Sequence, residues 1–285
     1  GLDDSVTSSW VVEGTCSGNK WTGKSATTPG ASMGEVFNVP SKPNINYYPL
    51  EIGHTAIGAM SLSFVAPGTS QYVDCSISSG DSQSIGTPQE GHMTGAVPIL
   101  NSDFIESRSA HNNENYGVIE LVNMIERTAC DMAWTGVKLS LGDASKGQER
   151  SDGTQGHDIN DHESHNSGRD VDTRLYAYSN GQYFMKGQLC DAANRRCVEN
   201  GVSSLFNNEN ALEANYKYIK SLHRHGDVQY VAIDGQYQKL LDDYASRKYS
   251  ESSFSASHNL ADWVNHHHHY HIRIHCPEGD SQCSG

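Results

Sequence analysis

The segment from residue 265 to residue 277 constrains the fold most, because it sets a dense histidine run directly before an alternating strand pattern. Its sequence reads NHHHHYHIRIHCP. Successive side chains of a strand face opposite sides. One face is therefore apolar and needs a core: Tyr270, Ile272, Ile274 and Cys276. The opposite face is polar and suits a metal or catalytic site: His269, His271, Arg273 and His275.

Histidine is both abundant and clustered. The chain has 15 histidines in 285 residues, with three in residues 157–165 and six in residues 266–275. An expression tag would also give a histidine run, but this one is internal and continues into an amphipathic strand. A solvated histidine patch that chelates metal loosely also fits this window when it is taken alone. The two windows together favour a defined metal site.

Charge and hydropathy exclude several classes of protein. Acidic side chains number 34 against 20 basic ones, which gives a net charge of −14. This balance argues against a nucleic-acid partner or an anionic membrane surface, since both need clustered Lys and Arg. No stretch approaches 18 consecutive apolar residues, so no membrane span is predicted. The oligomeric state stays open.

The length allows one large domain with a small appendage. Residues 1–80 are rich in Ser, Thr, Gly and Pro and contain short alternating runs, which predicts a β-rich N-terminal extension of unknown role. Residues 81–285 form the main domain. There, helical and strand patterns mix without a strict βαβ rhythm, which indicates an α+β fold. The patterns predict helices near 118–132, 212–225 and 236–249, and strands near 137–141, 171–178, 227–233 and 270–276.

The cysteines indicate the compartment. Cys190 and Cys197, like Cys276 and Cys283, have six residues between them, which suits small disulfide loops better than a zinc knuckle. Cys16 and Cys75 are expected to bridge the N-terminal segment, which leaves Cys130 unpaired. Disulfides predict an oxidising location, periplasmic or secreted, with a signal peptide already removed.

The first histidine window supplies further candidate ligands. His165 and Asp172 have six residues between them, Gly168 allows a turn, and Asp172 lies on the following strand beside Asp170 and Arg174. One histidine from the second window would complete three N/O ligands, the set found in catalytic zinc sites. Zinc lowers the pKa of its bound water to about 7 and polarises a carbonyl. Hydrolysis also needs a proton acceptor, and His269 is the candidate.

The spacing His-x6-Asp followed much later by His-x-His resembles the LAS metallopeptidases, and within them the penicillin-insensitive murein endopeptidases. Two segments carry most of the likeness: residues 164–172, which resemble S-H-x-x-G-x-D-x-D, and residues 266–277, which resemble H-x-x-H-x-H-[VI]-R-x-x-C-P. Residues 83–86, 95–96 and 141–143 also resemble that family, as does the Cys276–Cys283 loop. The resemblance covers about residues 83–285, whereas residues 1–80 depart from the family pattern.

The resemblance implies an α+β LAS-type core, with a small antiparallel sheet flanked by helices and long loops. It implies one Zn²⁺ per chain, held by His165, Asp172 and His271. His269 and His266 would be catalytic, with His269 as the base or transition-state stabiliser. His162 and Arg273 would support the site. His267 and His268 fall where the family commonly has other polar residues and are assigned no role, and the remaining histidines are expected to be ordinary surface or structurally satisfied residues.

The implied activity is zinc-dependent hydrolysis, by zinc-activated water, of D-amino-acid-containing cross-links of peptidoglycan such as D-Ala–meso-diaminopimelate. The partners would be cross-linked stem peptides, and Arg273 or Arg174 would meet a substrate carboxylate. Residues 1–80 would bind the wall or stabilise the chain.

Three different functions also fit parts of this pattern. The first is a D,D-carboxypeptidase or dipeptidase with the same metal core. Those relatives commonly place Glu shortly before the last histidine ligand, and residues 265–270 contain none. The second is a non-catalytic His-rich metal-binding protein, and the third is an inactive wall-binding domain.

Overall fold

The computed structural model describes residues 12–17, 20–25 and 36–38 as backbone, and residues 78–100, 103–108, 113–156 and 164–285 with their side chains. The chain divides into two compact units, Gly1–Val73 and Asp74–Gly285. In the first unit, strands β1 (Val12–Ser17), β2 (Lys20–Ser25) and β3 (Val36–Asn38) form an antiparallel sheet in that order. The rest of the predicted β-rich extension lies outside the described residues.

The second unit contains the candidate site. Its strands are β4 (Gln83–Ile85), β5 (His92–Thr94), β6 (Val97–Pro98), β7 (Ile105–Ser107), β8 (Tyr116–Gly117), β9 (Leu139–Leu141), β10 (Asp170–Thr173), β11 (Leu175–Ser179), β12 (Gln182–Lys186), β13 (Cys190–Ala193), β14 (Arg196–Val202), β15 (Val228–Ile233), β16 (Leu260–Asp262) and β17 (Tyr270–Ile274). Its helices are α1 (Ile119–Asp131), α2 (Glu209–His225), α3 (Gly235–Tyr249) and α4 (Phe254–Ser257). None of the described helices is both long enough and apolar enough to cross a bilayer.

The main sheet is larger than expected and mixed, so the expectation of a small antiparallel sheet is wrong. Its six strands lie in the order β16-β15-β17-β10-β9-β7. The β15–β16 and β7–β9 pairs are parallel, whereas the central pairs are antiparallel. The reason is the chain path: helix α3 lies between β15 and β16, and α1 lies between β7 and β9. Parallel neighbours need such crossover connections.

The core lies on one side of the two central strands. Tyr270 and Ile272 are fully buried and Ile274 is nearly so, as the alternation of β17 predicts. Helix α2 is tied to this side by hydrogen bonds: the Tyr270 hydroxyl donates to Asn215 at 2.9 Å, and Thr173 Oγ1 lies 2.8 Å from the Tyr218 hydroxyl. The other side of β17 is thereby left for polar side chains.

The predicted strand over residues 171–178 is two strands. It breaks at Arg174, because β10 pairs with β17 in the main sheet whereas β11 turns away to pair with β12. Periodicity alone does not show this break, since the alternation continues through it. The consequence is that Arg174 lies at the end of the candidate ligand strand, where its backbone N donates to the Ser140 carbonyl at 3.1 Å.

Both short disulfide loops predicted from spacing are formed, Cys190–Cys197 and Cys276–Cys283. The expectation that Cys130 stays unpaired is wrong, because Cys130, near the end of α1, is also disulfide-bonded. Sequence spacing identified the two short disulfide loops, whose cysteines are close in sequence. It did not identify the bond of Cys130, because pairing with a cysteine far away in sequence depends on the tertiary fold. The expected Cys16–Cys75 pair lies outside the residues whose side chains are described.

Candidate active site

The antiparallel pairing of β10 with β17 creates the candidate site. In this register Asp172 is opposite His271, and Asp170 is opposite Arg273. Directly opposed residues on one face have Cβ atoms about 5 Å apart, within reach of shared contacts. The two sequence windows, about 100 residues apart, therefore meet on the polar face of the sheet.

His165 comes from the loop before β10, and its backbone is in the left-handed region with φ +77°. Such a conformation is uncommon for a residue with a side chain. The loop is held in place, since Ser145 Oγ donates to the His165 carbonyl and Gly168 N donates to Ser145 Oγ at 2.9 Å. Gly168 also has a positive φ, and a Cβ there would meet Met93 Sδ at 2.5 Å. This turn directs His165 back toward the strand.

Three donor atoms converge on one wall of a pocket. His271 Nδ1 lies 3.0 Å from Asp172 Oδ1, and His165 Nε2 lies 3.6 Å from the same oxygen. The ligand atoms of all three side chains lie within 4.8 Å of one another. Gly142 allows the close approach of the neighbouring strand, since a Cβ there would be 3.1 Å from Asp172 Cβ. Two imidazole nitrogens and one carboxylate oxygen are a donor set that suits zinc.

Asp170 lies behind this set and is fully buried. Its Oδ1 accepts hydrogen bonds from His271 Nε2 at 2.8 Å and from Arg273 Nε at 2.6 Å. A carboxylate behind a histidine ligand fixes the ring orientation and raises its basicity. Because Nε2 of His271 is held by Asp170, its other ring nitrogen, Nδ1, faces Asp172. This orientation is the one that a metal ligand at this position needs. Arg273, which is 6% exposed, is occupied by Asp170.

The histidine run forms another part of the wall. His269 Nε2 lies 3.5 Å from Asp172 Oδ2, the oxygen on the other side of that carboxylate. The His266 ring packs 4.8 Å from the His269 ring, and the His266 carbonyl accepts from Asp234 N at 3.0 Å. Tyr237 donates to the His267 carbonyl at 3.1 Å. The loop is thus fixed by α3 and its cap.

The pocket has a volume of about 890 Å³ and is open to solvent. The residues that line it include the following: Arg108, Asp143, Ser164, His165, Asp172, Arg174, Arg196, Asp262, Trp263, His266, His268, His269, His271 and Arg273. A volume of this size accommodates a drug-sized or short peptide ligand. All the predicted site histidines within the described residues are brought together here. His162 lies outside the described residues.

Sequence reasoning missed several residues of the site and its surroundings. Asp170 was noted only as part of a motif and a strand face, and its contact with His271 depends on the strand register. Trp263 packs its ring 5.7 Å from that of His271 and 5.2 Å from that of His266, and no local pattern marks it. His268, which received no role, has Nδ1 3.2 Å from His269 Nδ1.

A second group of potential metal ligands shares His271: His266, His269 and His271. It is more exposed than the first group and has no carboxylate. The contact of His271 Nδ1 with Asp172 favours the first group, because that nitrogen already lies beside the carboxylate oxygen. His269 and His266 then lie beside the first group and outside its set of ligands.

The protonation states differ sharply across the site. Burial by itself raises the pKa of Asp172, but His165, His269 and His271 outweigh it and hold that pKa well below its usual range. Burial lowers the pKa of His269 to about 4, despite the opposing charge of Asp172. His269 is therefore neutral at pH 7 and able to accept a proton. For His271 burial lowers the pKa, but the contacts with Asp170 and Asp172 raise it to about 9.

Metal uptake by the metal-free protein is expected to release about one proton at pH 7. His271 is protonated below a pKa of about 9, and a metal needs its nitrogen unprotonated. Affinity should therefore rise with pH up to about 9 and fall as the pH drops. Zinc titration by calorimetry in two buffers of different ionisation enthalpy measures the released proton. Identical heats in both buffers would contradict the expectation.

A profile of the penicillin-insensitive murein endopeptidase family matches residues 84–285, which is most of the chain. The match spans both ligand-bearing segments and the strands that position them. The chain belongs to this murein endopeptidase family. It is therefore a peptidase of a family whose members act on peptidoglycan, and its buried His/Asp group is one that could hold a metal. A comparison with curated proteins gave no match.

Proposed function

We propose that the chain is a zinc-dependent endopeptidase that hydrolyses D-amino-acid-containing cross-links of peptidoglycan, such as D-Ala–meso-diaminopimelate. The observation that carries the proposal is the convergence of His165 Nε2, Asp172 Oδ1 and His271 Nδ1 on the wall of an open pocket. It occurs in a chain of a murein endopeptidase family, beside a histidine that is neutral at pH 7.

The contacts support the following roles. His165, Asp172 and His271 would hold one zinc ion per chain, and Asp170 would orient His271. When bound, zinc makes water a better nucleophile and polarises the scissile carbonyl. His269 takes a proton from the attacking water and returns it to the leaving nitrogen. His266 packs beside His269 and keeps the proton-accepting ring in position.

The proposed partners are cross-linked stem peptides, and the proposed location is periplasmic or secreted, where peptidoglycan lies. The disulfides Cys190–Cys197 and Cys276–Cys283 agree with an oxidising compartment. We place the peptidase domain at residues 81–285 and treat residues 1–80 as a separate extension. His162 is proposed as a further active-site histidine on the family resemblance.

The products of digestion test this function. Purified protein is incubated with cross-linked sacculi, and the muropeptides are separated by chromatography. An endopeptidase converts cross-linked dimers to monomers without releasing terminal D-Ala. Release of terminal D-Ala with dimers intact would instead show the D,D-carboxypeptidase activity. Asp172→Asn, which removes one negative charge from the ligand set, serves as the inactive control.

A further inference from the structure

Two arginines, Arg108 and Arg174, line the same pocket as the candidate zinc ligands. Arg174 follows Asp172 by two residues, so it lies about 7 Å along the chain from that ligand. Arg108 follows β7, and its backbone N donates to the Leu141 carbonyl at 3.0 Å. Between them runs the segment of Gly142, whose N donates to the Asp172 carbonyl at 2.7 Å. Both arginines therefore emerge beside the ligand strand.

Within the described part of the chain, neither of these two charges has a carboxylate partner. Among the described residues, no Asp or Glu oxygen lies within 4.0 Å of the guanidinium of Arg108 or Arg174. Burial lowers the pKa of Arg174, and the nearby positive charge of Arg108 lowers it further. The negative charge of Glu106 raises this pKa and so offsets part of the shift. Two cations held close together in an acidic chain are unfavourable without an anion between them.

The other two arginines of the pocket are already neutralised. Arg196 forms an ion pair with Asp262, and Arg273 is held by the buried Asp170. Arg273, one of the two arginines expected from sequence to meet a substrate carboxylate, therefore has its charge paired with a buried carboxylate of the protein itself. The available positive charge of the pocket is concentrated at Arg108 and Arg174.

The proposed substrate supplies a matching anion. In a D-Ala–meso-diaminopimelate cross-link, the carbon that bears the scissile nitrogen also bears a free carboxylate. A guanidinium binds a carboxylate through two parallel hydrogen bonds, which fix orientation as well as position. We propose that Arg108 and Arg174 form the subsite for the carboxylate of the residue that follows the scissile bond. This inference rests on the proposed function and adds the residues that would make the enzyme specific for a carboxylate next to the scissile bond.

The test uses two synthetic cross-linked peptides that differ only at this group, carboxylate in one and carboxamide in the other. Binding is measured by calorimetry on the zinc-loaded, full-length His269→Ala protein, in which cleavage is slow. The carboxylate peptide should bind about 10- to 100-fold more tightly, as expected for charge-assisted hydrogen bonds. In the His269→Ala background, Arg174→Gln should reduce this preference to a few-fold, and Arg174→Lys should retain part of it.

Arg108→Gln provides a second variant, since Arg108 is exposed and its loss should not affect folding. Arg127→Gln, an exposed position on α1 outside the pocket, is the matched charge control and should keep the full preference. Equal binding of the two peptides, or an undiminished preference in both Arg174→Gln and Arg108→Gln, would overturn the subsite.

Parallel cleavage assays with the wild-type protein separate this inference from the proposed function. Cleavage of both peptides with no preference for the carboxylate would refute the subsite and leave the endopeptidase activity standing. A preference in binding that Arg174→Gln removes, without any cleavage by the wild-type protein, would support the subsite and refute the endopeptidase activity.

Discussion

Replacing His269 by alanine is expected to lower kcat by about 100- to 10,000-fold while the protein keeps its metal, as general-base removal does elsewhere. Burial holds the pKa of His269 near 4, so its ring is neutral and able to accept a proton at pH 7. Its Nε2 is 3.5 Å from Asp172 Oδ2, whereas His165 and His271 approach the other oxygen, Oδ1. Loss of the His269 ring therefore leaves the proposed ligand set complete.

The measurement pairs metal content with the rate of dimer cleavage for each variant. His275→Ala is the matched control, because His275 is exposed at the end of β17 and does not line the pocket. It should retain both metal and activity. A His269→Ala protein that cleaves dimers at the parent rate would show that another group manages the proton.

Replacing Asp170 by asparagine is expected to destabilise the fold by about 3 to 5 kcal/mol, the typical cost of breaking a buried ion pair. Asp170 is fully buried, and Arg273, which it neutralises, is 6% exposed. The same change should weaken metal binding by about 10- to 100-fold, because His271 loses the carboxylate that orients it. Burial opposes ionisation of Asp170, but the hydrogen bond from His271 and the charges of His271, Arg273 and His165 keep its pKa low.

Denaturant unfolding of the metal-free protein measures the first effect, and competition with a zinc chelator measures the second. Asp243→Asn, at an exposed position of α3, removes the same charge and should change neither quantity by much. If Asp170→Asn unfolded at the parent denaturant concentration and held zinc as tightly, the supporting role of Asp170 would be wrong.

The parts of the fold that local pattern specifies were predictable from sequence. The alternation of Tyr270–Ile274 separates a core face from a polar face, and the structure places its residues accordingly. The amphipathic helix near residues 118–132 is formed as α1, and the left-handed Gly136 ends the turn that follows it. These features depend on residues that are close together in sequence, so the spacing of apolar and polar residues is enough to predict them.

The features that sequence did not predict depend on long-range pairing. The contact between Asp170 and His271 requires the register of β10 on β17, and the parallel edges of the sheet require the paths of α1 and α3. The disulfide of Cys130 was not predicted either, because it too joins residues that are far apart in sequence. Arg108 belongs to this group as well, since its approach to Arg174 is set by the position of β9 between their strands.

The most direct test of the proposed zinc centre is elemental analysis of the purified protein after exhaustive dialysis, with dimer cleavage measured on the same samples. A site formed by His165, Asp172 and His271 predicts one tightly held zinc ion per chain, loss of cleavage on chelation and recovery with one equivalent of zinc. His266→Ala should keep that ion and His165→Ala should lose it. Several weakly held metals that survive His165→Ala, or cleavage by metal-free protein, would contradict the account.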